Sequence, residues 1–406
     1  MERSERAGLV LRPFRGVRYT ADDLSAVTSP PYDLISPAEA RRLADAHPNN
    51  VVRLILPGHY AEARDTLATW LDEGILAADE TPALYVYEQS APTFVQRGLI
   101  GAVGVGSAAV LPHENVMPGP VADRLALMRT TQANLEPIFL LYEGNGPATA
   151  LVEEVASTRP PLVDVTMSDT TRHRLWPITE PGELDKIATD LADHRAMIAD
   201  GHHRYATYKE LQSEHDEPGP WDGGLAYLVD STAYPPDLKA IHRVIPNLPV
   251  TEAVARAKGA WQVHEHPHLD EALTALTTAT GPAYVVTGGG PAHLLTDPDP
   301  LQLNLAMPAD RSARWRSLAT AILNEFLLPK VWGIEDDEHA VQIVHHDHTA
   351  AVRMARETNG TAVLMRPLDA ADVFAVAEEG ERVPRKSTSF SPKPATGLVL
   401  RTFATD

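Results

Sequence analysis

Apolar positions recur along this chain with two periods, and the two periods alternate. In YAEARDTLATWLDEGILA (60–77), Ala63, Leu67, Trp70 and Leu71 fall three and four apart, which predicts a helix with one buried face. ALYVYEQ (83–89) and RGLIGAVGV (97–105) are rich in Val, Tyr and Ile and predict two strands joined as a hairpin. LVLRPFRGVRY (9–19) predicts a short strand that ends at Pro13 and Gly16. In SPPYDLISPAEARRLADAHPNN (29–50), Ser36, Pro37 and Glu39 predict a capping box with proline at the first helical position.

The middle of the chain alternates in the same way. PIFLLYE (137–143), RHRLWPIT (172–179), RAMIADG (195–201), GLAYLVD (224–230) and LKAIHRVIPNL (238–248) predict strands. DRLALMRTTQAN (123–134), ELDKIATDLAD (183–193) and HHRYATYKELQSEH (202–215) predict helices among them. The last third repeats the mixture through SLATAILNEFLLPKV, with a glycine hairpin in AYVVTGGGPAHLLT. EPGPWDGG (217–224) and TDPDPLQLNLAMPAD (296–310) are rich in Pro, Asp and Gly and read as linkers. The expected class is α+β, with mixed sheets and flanking helices rather than a regular doubly wound sheet.

Composition removes several chemistries. Cysteine is absent from the 406 residues, so disulfides, thiolate nucleophiles and iron–sulfur clusters are excluded. The net charge of −20 is unsuited to neutralising a phosphate backbone, so no nucleic-acid partner is expected. MERSERAGLVLRPFRG carries no apolar signal core, and LIGAVGVGSAAVLP (99–112) is shorter than a span of about 20 residues. A cytoplasmic protein without a membrane partner is expected.

Chemistry concentrates in AMIADGHHRYATYKEL (196–211). A strand leads to Asp200 and Gly201, and a helix opens at once with His202, His203 and Arg204. Glycine lets a ligand approach the backbone, the helix start presents N–H donors, and Arg204 adds a donor fork, which together suit a phosphate. Asp200 is then placed to hold a magnesium ion bridging phosphates. The plain alternative is a strand–turn–helix with solvated histidines.

A second segment, LPHENVMPGPVADRLALMRTTQAN (111–134), sets Glu114 in a proline-bounded loop after an apolar strand. That is a favourable place for a general base, although a surface carboxylate fits the same letters. His113 and Glu114 begin like a zinc-protease helix, but Met117 stands where its second histidine must be. Arg124 and Arg129 on the following helix are either anion contacts or solvated. VHHDHTA (344–350) reads as a polar strand end or, less favourably, a metal site. G-A-V-G-V-G (101–106) lacks the order of a dinucleotide loop and reads as strand.

Six segments taken in order carry a resemblance: RPFRGVR (12–18), SPPYDLIS (29–36), LPHENVMPGPVADR (111–124), NLEPIFLLY (134–142), IADGHHRYATY (198–208) and VPRKSTSFSPKPATGL (383–398). Together they resemble the bacterial and archaeal domain of unknown function one-zero-one-five, over about residues 9–401. Within residues 100–210, the D-G-H-H-R turn with its upstream P-H-E is similar to the ParB/sulfiredoxin-like superfamily, and in particular to free serine kinases. That similarity implies a ParB/sulfiredoxin-like core embedded in a larger chain. The blocks are then 1–98 (N-terminal α/β region), 99–248 (core) and 249–406 (C-terminal α+β region).

The same resemblance implies Glu114 and Asp200 as catalytic residues, with Gly201, His202, His203 and Arg204 as the phosphate-binding turn. It also implies Mg²⁺ and a nucleotide, ATP or ADP, as cofactors. His113, Arg124, Lys386, Ser387, Thr388 and Lys393 are the further candidates for substrate or anion contacts. The expected function is Mg-dependent transfer of a nucleotide phosphate to a hydroxylated amino acid such as free L-serine. The alternative is a nucleotide-binding regulatory or scaffold protein that transfers nothing.

Overall fold

The computed structural model describes residues 8–21, 23–167, 169–337 and 339–406, so the first seven residues of the N-terminal segment read above lie outside the described residues. These residues divide into two compact units. The first comprises residues up to Pro112, Val116–Pro236 and Pro392–Asp406, and the second His113–Asn115 and Asp237–Ser391. The sequence blocks 1–98, 99–248 and 249–406 do not follow this division. Residue 98 lies inside the strand Phe94–Gly104, which is hydrogen-bonded to Leu84–Ala91, and Asp237–Ser391 belongs to the second unit while Pro392–Asp406 returns to the first.

In the first unit the described residues form a nine-stranded mixed sheet. Its order is Val110–Leu111, Ala196–Asp200, Ile138–Tyr142, Gly223–Asp230, Phe94–Gly104, Leu84–Ala91, Arg172–Ile178, Val163–Thr166, with Leu11–Arg12 beside Phe94–Gly104. Parallel pairings join Ala196–Asp200 to Val110–Leu111 and Gly223–Asp230 to Ile138–Tyr142, while the others are antiparallel. Ile138–Tyr142 and Gly223–Asp230 are buried along their whole length, as the near-continuous apolar runs of central strands are. Ile138, Leu140, Ile198 and Leu228 lie in one core with Tyr205, Tyr208 and Leu211 of the helix His202–Ser213.

Local signals account for many element boundaries. Ser36 Oγ accepts from Glu39 N at 3.2 Å and starts the helix Pro37–Ala46, although the Glu39 side chain turns to Arg42. The helix read over 123–134 begins earlier, at Pro118, and ends at Thr131 where Gln132 takes a left-handed conformation. Pro147–Thr158 is a helix that the sequence reading left unassigned, with proline in its first turn.

The second unit carries a six-stranded antiparallel sheet among the described residues. Its order is Gln262–His266, Ala292–Thr296, Tyr284–Thr287, Thr361–Leu364, Ile241–Ile245, Gln342–His345. The glycine hairpin joins Tyr284–Thr287 to Ala292–Thr296, with Gly289 at φ 92°. The linkers expected at 217–224 and 296–310 are structured. Pro220–Asp222 is a short helical turn inside the first unit, and Pro300–Ala306 is a helix capped by Asp299. An Asp-Pro pair is a helix start as much as a breaker, because the aspartate caps and the proline needs no N–H at that position. No helix of the described residues is long and apolar enough to cross a membrane.

Candidate functional site

The strand Ala196–Asp200 pairs with Ile138–Tyr142, and its register shifts between Ile198 and Asp200. Such an irregularity re-aims the side chains at the strand end. Gly201 follows at φ 91°, the left-handed region, and is the N-cap of the helix His202–Ser213. A side chain there is doubly disfavoured, since an added Cβ would lie 2.9 Å from Ile138 Cγ2 and 3.2 Å from Arg204 Nε and Nη2.

Arg204 is turned inward beneath this turn. Its guanidinium donates to the Pro137 carbonyl at 2.5 Å and to Asp200 Oδ2 at 2.7 Å, and the residue is 4% exposed. The donor fork that the sequence offered to a phosphate is therefore committed to the turn itself, because a buried guanidinium must be paired where it lies. Its Nε is buried without a hydrogen-bond partner among the described residues.

Asp200 has a second cation. Lys393 Nζ is ion-paired with Asp200 Oδ1 and lies 2.9 Å from Asp33 Oδ2. Burial disfavours the Lys393 charge, but Asp200 and Asp33 outweigh it and raise the ammonium above its ordinary range. Burial likewise opposes the Asp33 charge, and Lys393 and Arg204 overcome it, holding that carboxyl below its ordinary range.

Two residues that, like Asp33, carried no role in the sequence reading complete this cluster. Glu136, 5% exposed, accepts from Tyr32 N at 2.9 Å and from Thr396 Oγ1 at 3.3 Å, and burial raises its carboxyl despite Arg204 and Arg124. The Tyr32 ring is near two cations, with Arg124 Cζ 4.4 Å and Arg204 Cζ 5.9 Å from its centroid. Arg124 is itself held by Asp123 and by the Ile55 carbonyl at 2.7 Å. The available signal for Tyr32, Asp33 and Glu136 was their presence in SPPYDLIS and NLEPIFLLY.

The two histidines differ. His202 is 9% exposed in the first helical turn, whereas His203 Nε2 accepts from Met117 N at 3.1 Å and so carries no proton on that nitrogen. Arg129 pairs with Glu214 on the surface, as a solvated helix arginine does.

In the second unit Glu114 ends a chain of three polar groups. Thr388 Oγ1 donates to Glu114 Oε1 at 2.8 Å and lies 2.8 Å from His113 Nε2. His113 is fully buried, edge-on to Phe390, with its carbonyl accepting from Val383 N at 2.8 Å. With its hydroxyl proton given to Glu114, Thr388 receives the Nε2 proton of His113.

Arg243, fully buried, supports this segment by donating to the Lys386 carbonyl at 2.9 Å and the Arg385 carbonyl at 3.3 Å. Burial lowers its guanidinium to about 10, partly opposed by Asp336. Lys386 thus contributes a carbonyl, at φ 52°, while its side chain is exposed. Ser387 donates to the Pro384 carbonyl at 2.7 Å and closes a local turn. The KSTSFSPK segment is divided, with Thr388 beside Glu114 in the second unit and Lys393 beside Asp200 in the first.

The geometry does not favour a magnesium ion on Asp200, and VHHDHTA is the polar strand end that its sequence favours. Both oxygens of Asp200 are ion-paired, one with Lys393 and one with Arg204, so this carboxylate does not fit a magnesium ligand. VHHDHTA is the end of the strand Gln342–His345 followed by Asp347, which caps the helix His348–Glu357 by accepting from Ala350 N at 2.8 Å. Among the described residues no group of three or more His, Asp or Glu side chains is placed to hold a metal ion.

A family model described as "Protein of unknown function (DUF1015)" matches residues 11–326. The chain belongs to this DUF1015 family. The matched stretch contains Glu114 and the 198–208 turn and ends before the 383–398 segment. Among solved structures, the chain is similar to SbnI with C-terminal truncation from Staphylococcus aureus, at 12% identity and a TM-score of 0.39, over 74% of this chain and 87% of that one. It is similar to free serine kinase in complex with AMP, at 13% identity and 0.35, over 71% and 89%. A conserved hypothetical protein from Pyrococcus furiosus matches at 13% identity and 0.36, over 73% and 92%. No curated protein matches the chain.

Proposed function

We propose that this DUF1015 chain is a small-molecule kinase that transfers a nucleotide phosphate to a hydroxylated amino acid such as free L-serine. The observation that carries the reading is the turn at Asp200–Gly201, where a strand end, a left-handed glycine and a helix start are braced from below by Arg204. Phosphoryl transfer asks a protein for positioning and charge neutralisation more than for covalent chemistry. A rigid helix start supplies N–H donors toward an anion, and Gly201 keeps that backbone clear of a side chain. Arg204 acts in this reading as a positioning residue, and His202 and His203 line the turn. No step is assigned to a magnesium ion on Asp200.

Glu114 is proposed as the base that accepts the proton of the attacking hydroxyl. Its support is chemical: an acceptor carboxylate held in one orientation by Thr388, which is itself oriented by His113. The second reading, a nucleotide-binding protein that transfers nothing, is favoured by one observation, that Oε1 of Glu114 already receives the Thr388 proton.

The deciding experiment incubates the purified chain with ATP or ADP and a panel of hydroxylated amino acids, and follows phosphorus by NMR. A phosphomonoester of the acceptor, formed with stoichiometric loss of nucleotide phosphate, is expected. Nucleotide binding without any such product would leave the second reading in place.

A further inference from the structure

Asp33 and Asp200 converge on one ammonium. Lys393 Nζ is 2.9 Å from Asp33 Oδ2 and ion-paired with Asp200 Oδ1, and Arg204 takes the other Asp200 oxygen at 2.7 Å. The side chains of Lys393 and Asp200 are only 15% and 12% exposed, so water screens this pair little, whereas Asp33 is 40% exposed. A divalent ion bound by Asp200 would have to displace the ammonium and leave it beside a second positive charge.

The lysine is also delivered stiffly. Pro392 and Pro394 flank it, which fixes φ on both sides and restricts Lys393 to extended backbone. Just beyond, Thr396 and Ser29 exchange backbone hydrogen bonds of 2.9 and 3.1 Å, and Ala395 N donates to the Tyr87 hydroxyl at 3.2 Å. A buried lysine on a braced segment loses little further freedom when it meets a ligand. An ammonium has three N–H donors, and two of those on Lys393 face the carboxylates.

We propose that Lys393 is the resident cation of the Asp33–Asp200 pair and the anion-contacting residue of this site, standing where the sequence reading put a magnesium ion. Its third N–H meets the phosphate, and its charge neutralises the two carboxylates that would otherwise repel an anion. The anion half of this assignment rests on the nucleotide reading above, whereas the resident-cation half does not.

The first test uses Mn²⁺ alone, titrated into the full chain and followed by electron paramagnetic resonance of the free ion. Wild type is expected to leave the free signal unchanged. Lys393→Met, which leaves two carboxylates around one space, is expected to take up one Mn²⁺ per chain, and Asp200→Asn added to it removes that uptake. Stoichiometric uptake by wild type that Asp200→Asn abolishes overturns the proposal, as does a folded Lys393→Met that takes up none. Circular dichroism checks the fold, and Lys393→Gln substitutes for a Lys393→Met chain that does not fold.

The second test measures ADP binding in EDTA by calorimetry. Wild type is expected to bind without a divalent ion. Lys393→Met should bind roughly 10- to 100-fold more weakly, the size of a charge-assisted contact. Equal affinities overturn the anion contact. A wild type that binds no ADP removes the anion contact together with the nucleotide reading, while the Mn²⁺ titration still decides the resident cation.

Discussion

Thr388 donates its hydroxyl to Glu114 Oε1 at 2.8 Å, across 274 residues of chain. His113 Nε2 lies 2.8 Å from the same hydroxyl oxygen, so one threonine orders the histidine and the glutamate of the Pro-His-Glu motif.

If Glu114 is the base, Glu114→Gln lowers kcat by about 10²–10⁴-fold, the usual contribution of a positioned base, with little change in nucleotide Kd. Thr388→Val removes the orienting hydrogen bond and lowers kcat less, whereas Thr388→Ser restores it. Steady-state kinetics paired with calorimetry separates the two effects. Intact turnover with lost binding would make Glu114 a ligand.

Arg204 governs stability before it governs binding. Arg204→Ala leaves the Pro137 carbonyl and one Asp200 oxygen without their buried partner, so a loss of about 3–5 kcal/mol is expected in urea unfolding. Arg204→Lys keeps the charge but cannot span both acceptors, and should recover only part of the loss. Wild-type stability in the alanine variant would mean the guanidinium is free to serve a ligand.

Gly201 should tolerate alanine worse than other glycines of its unit with positive φ. Gly74, at φ 71°, has nothing within 4 Å of an added Cβ, so Gly74→Ala should cost about 1–2 kcal/mol from backbone strain alone. Gly201→Ala adds the contact with Ile138 Cγ2 at 2.9 Å and should cost more. Equal midpoint shifts in urea would show that the turn relaxes and is not a rigid cradle.

His173 makes the first unit acid-sensitive. It is 4% exposed, with Nδ1 2.7 Å from the Tyr87 hydroxyl, and burial lowers its pKa to about 4. An unfolded histidine titrates near about 6.5, so in that range the unfolded chain takes a proton that the folded one refuses. The contribution is fully present above about pH 6.5 and is lost as pH falls toward 4, by about 3 kcal/mol in all. Urea midpoints measured at pH 7 and near pH 4 should fall less in His173→Gln than in wild type. An unchanged pH slope in that variant would assign the acid sensitivity elsewhere.

Much of the local architecture is legible in the letters. The three-and-four spacing of Ala63, Leu67 and Trp70 is the buried face of Tyr60–Asp72, and Ser36 with Pro37 starts Pro37–Ala46. Asp200-Gly201 before His202 is a strand, a left-handed turn and a helix start. Each of these follows from backbone sterics and side-chain spacing within one short window. The Asp-Pro helix at Pro300–Ala306 was misread because the same pair both ends one element and begins another.

What the sequence determined by itself is therefore many of the elements, the shape of the Asp200–Gly201 turn and the membership signalled by its ordered motifs. Only the tertiary structure decided where the charges go. It turned Arg204 inward, gave Asp200 to Lys393, gave Glu114 to Thr388, and assigned those two carboxylates to different units. The physical reason is that backbone conformation is settled among near neighbours, whereas ion pairs are settled in space. Lys393 is one of 35 Lys and Arg residues facing 55 Asp and Glu, and nothing in its own neighbourhood of sequence names Asp33, 360 residues away. Folding selects the partners of Lys393 by largely burying its ammonium, 15% exposed, where leaving it unpaired would cost more than the contacts.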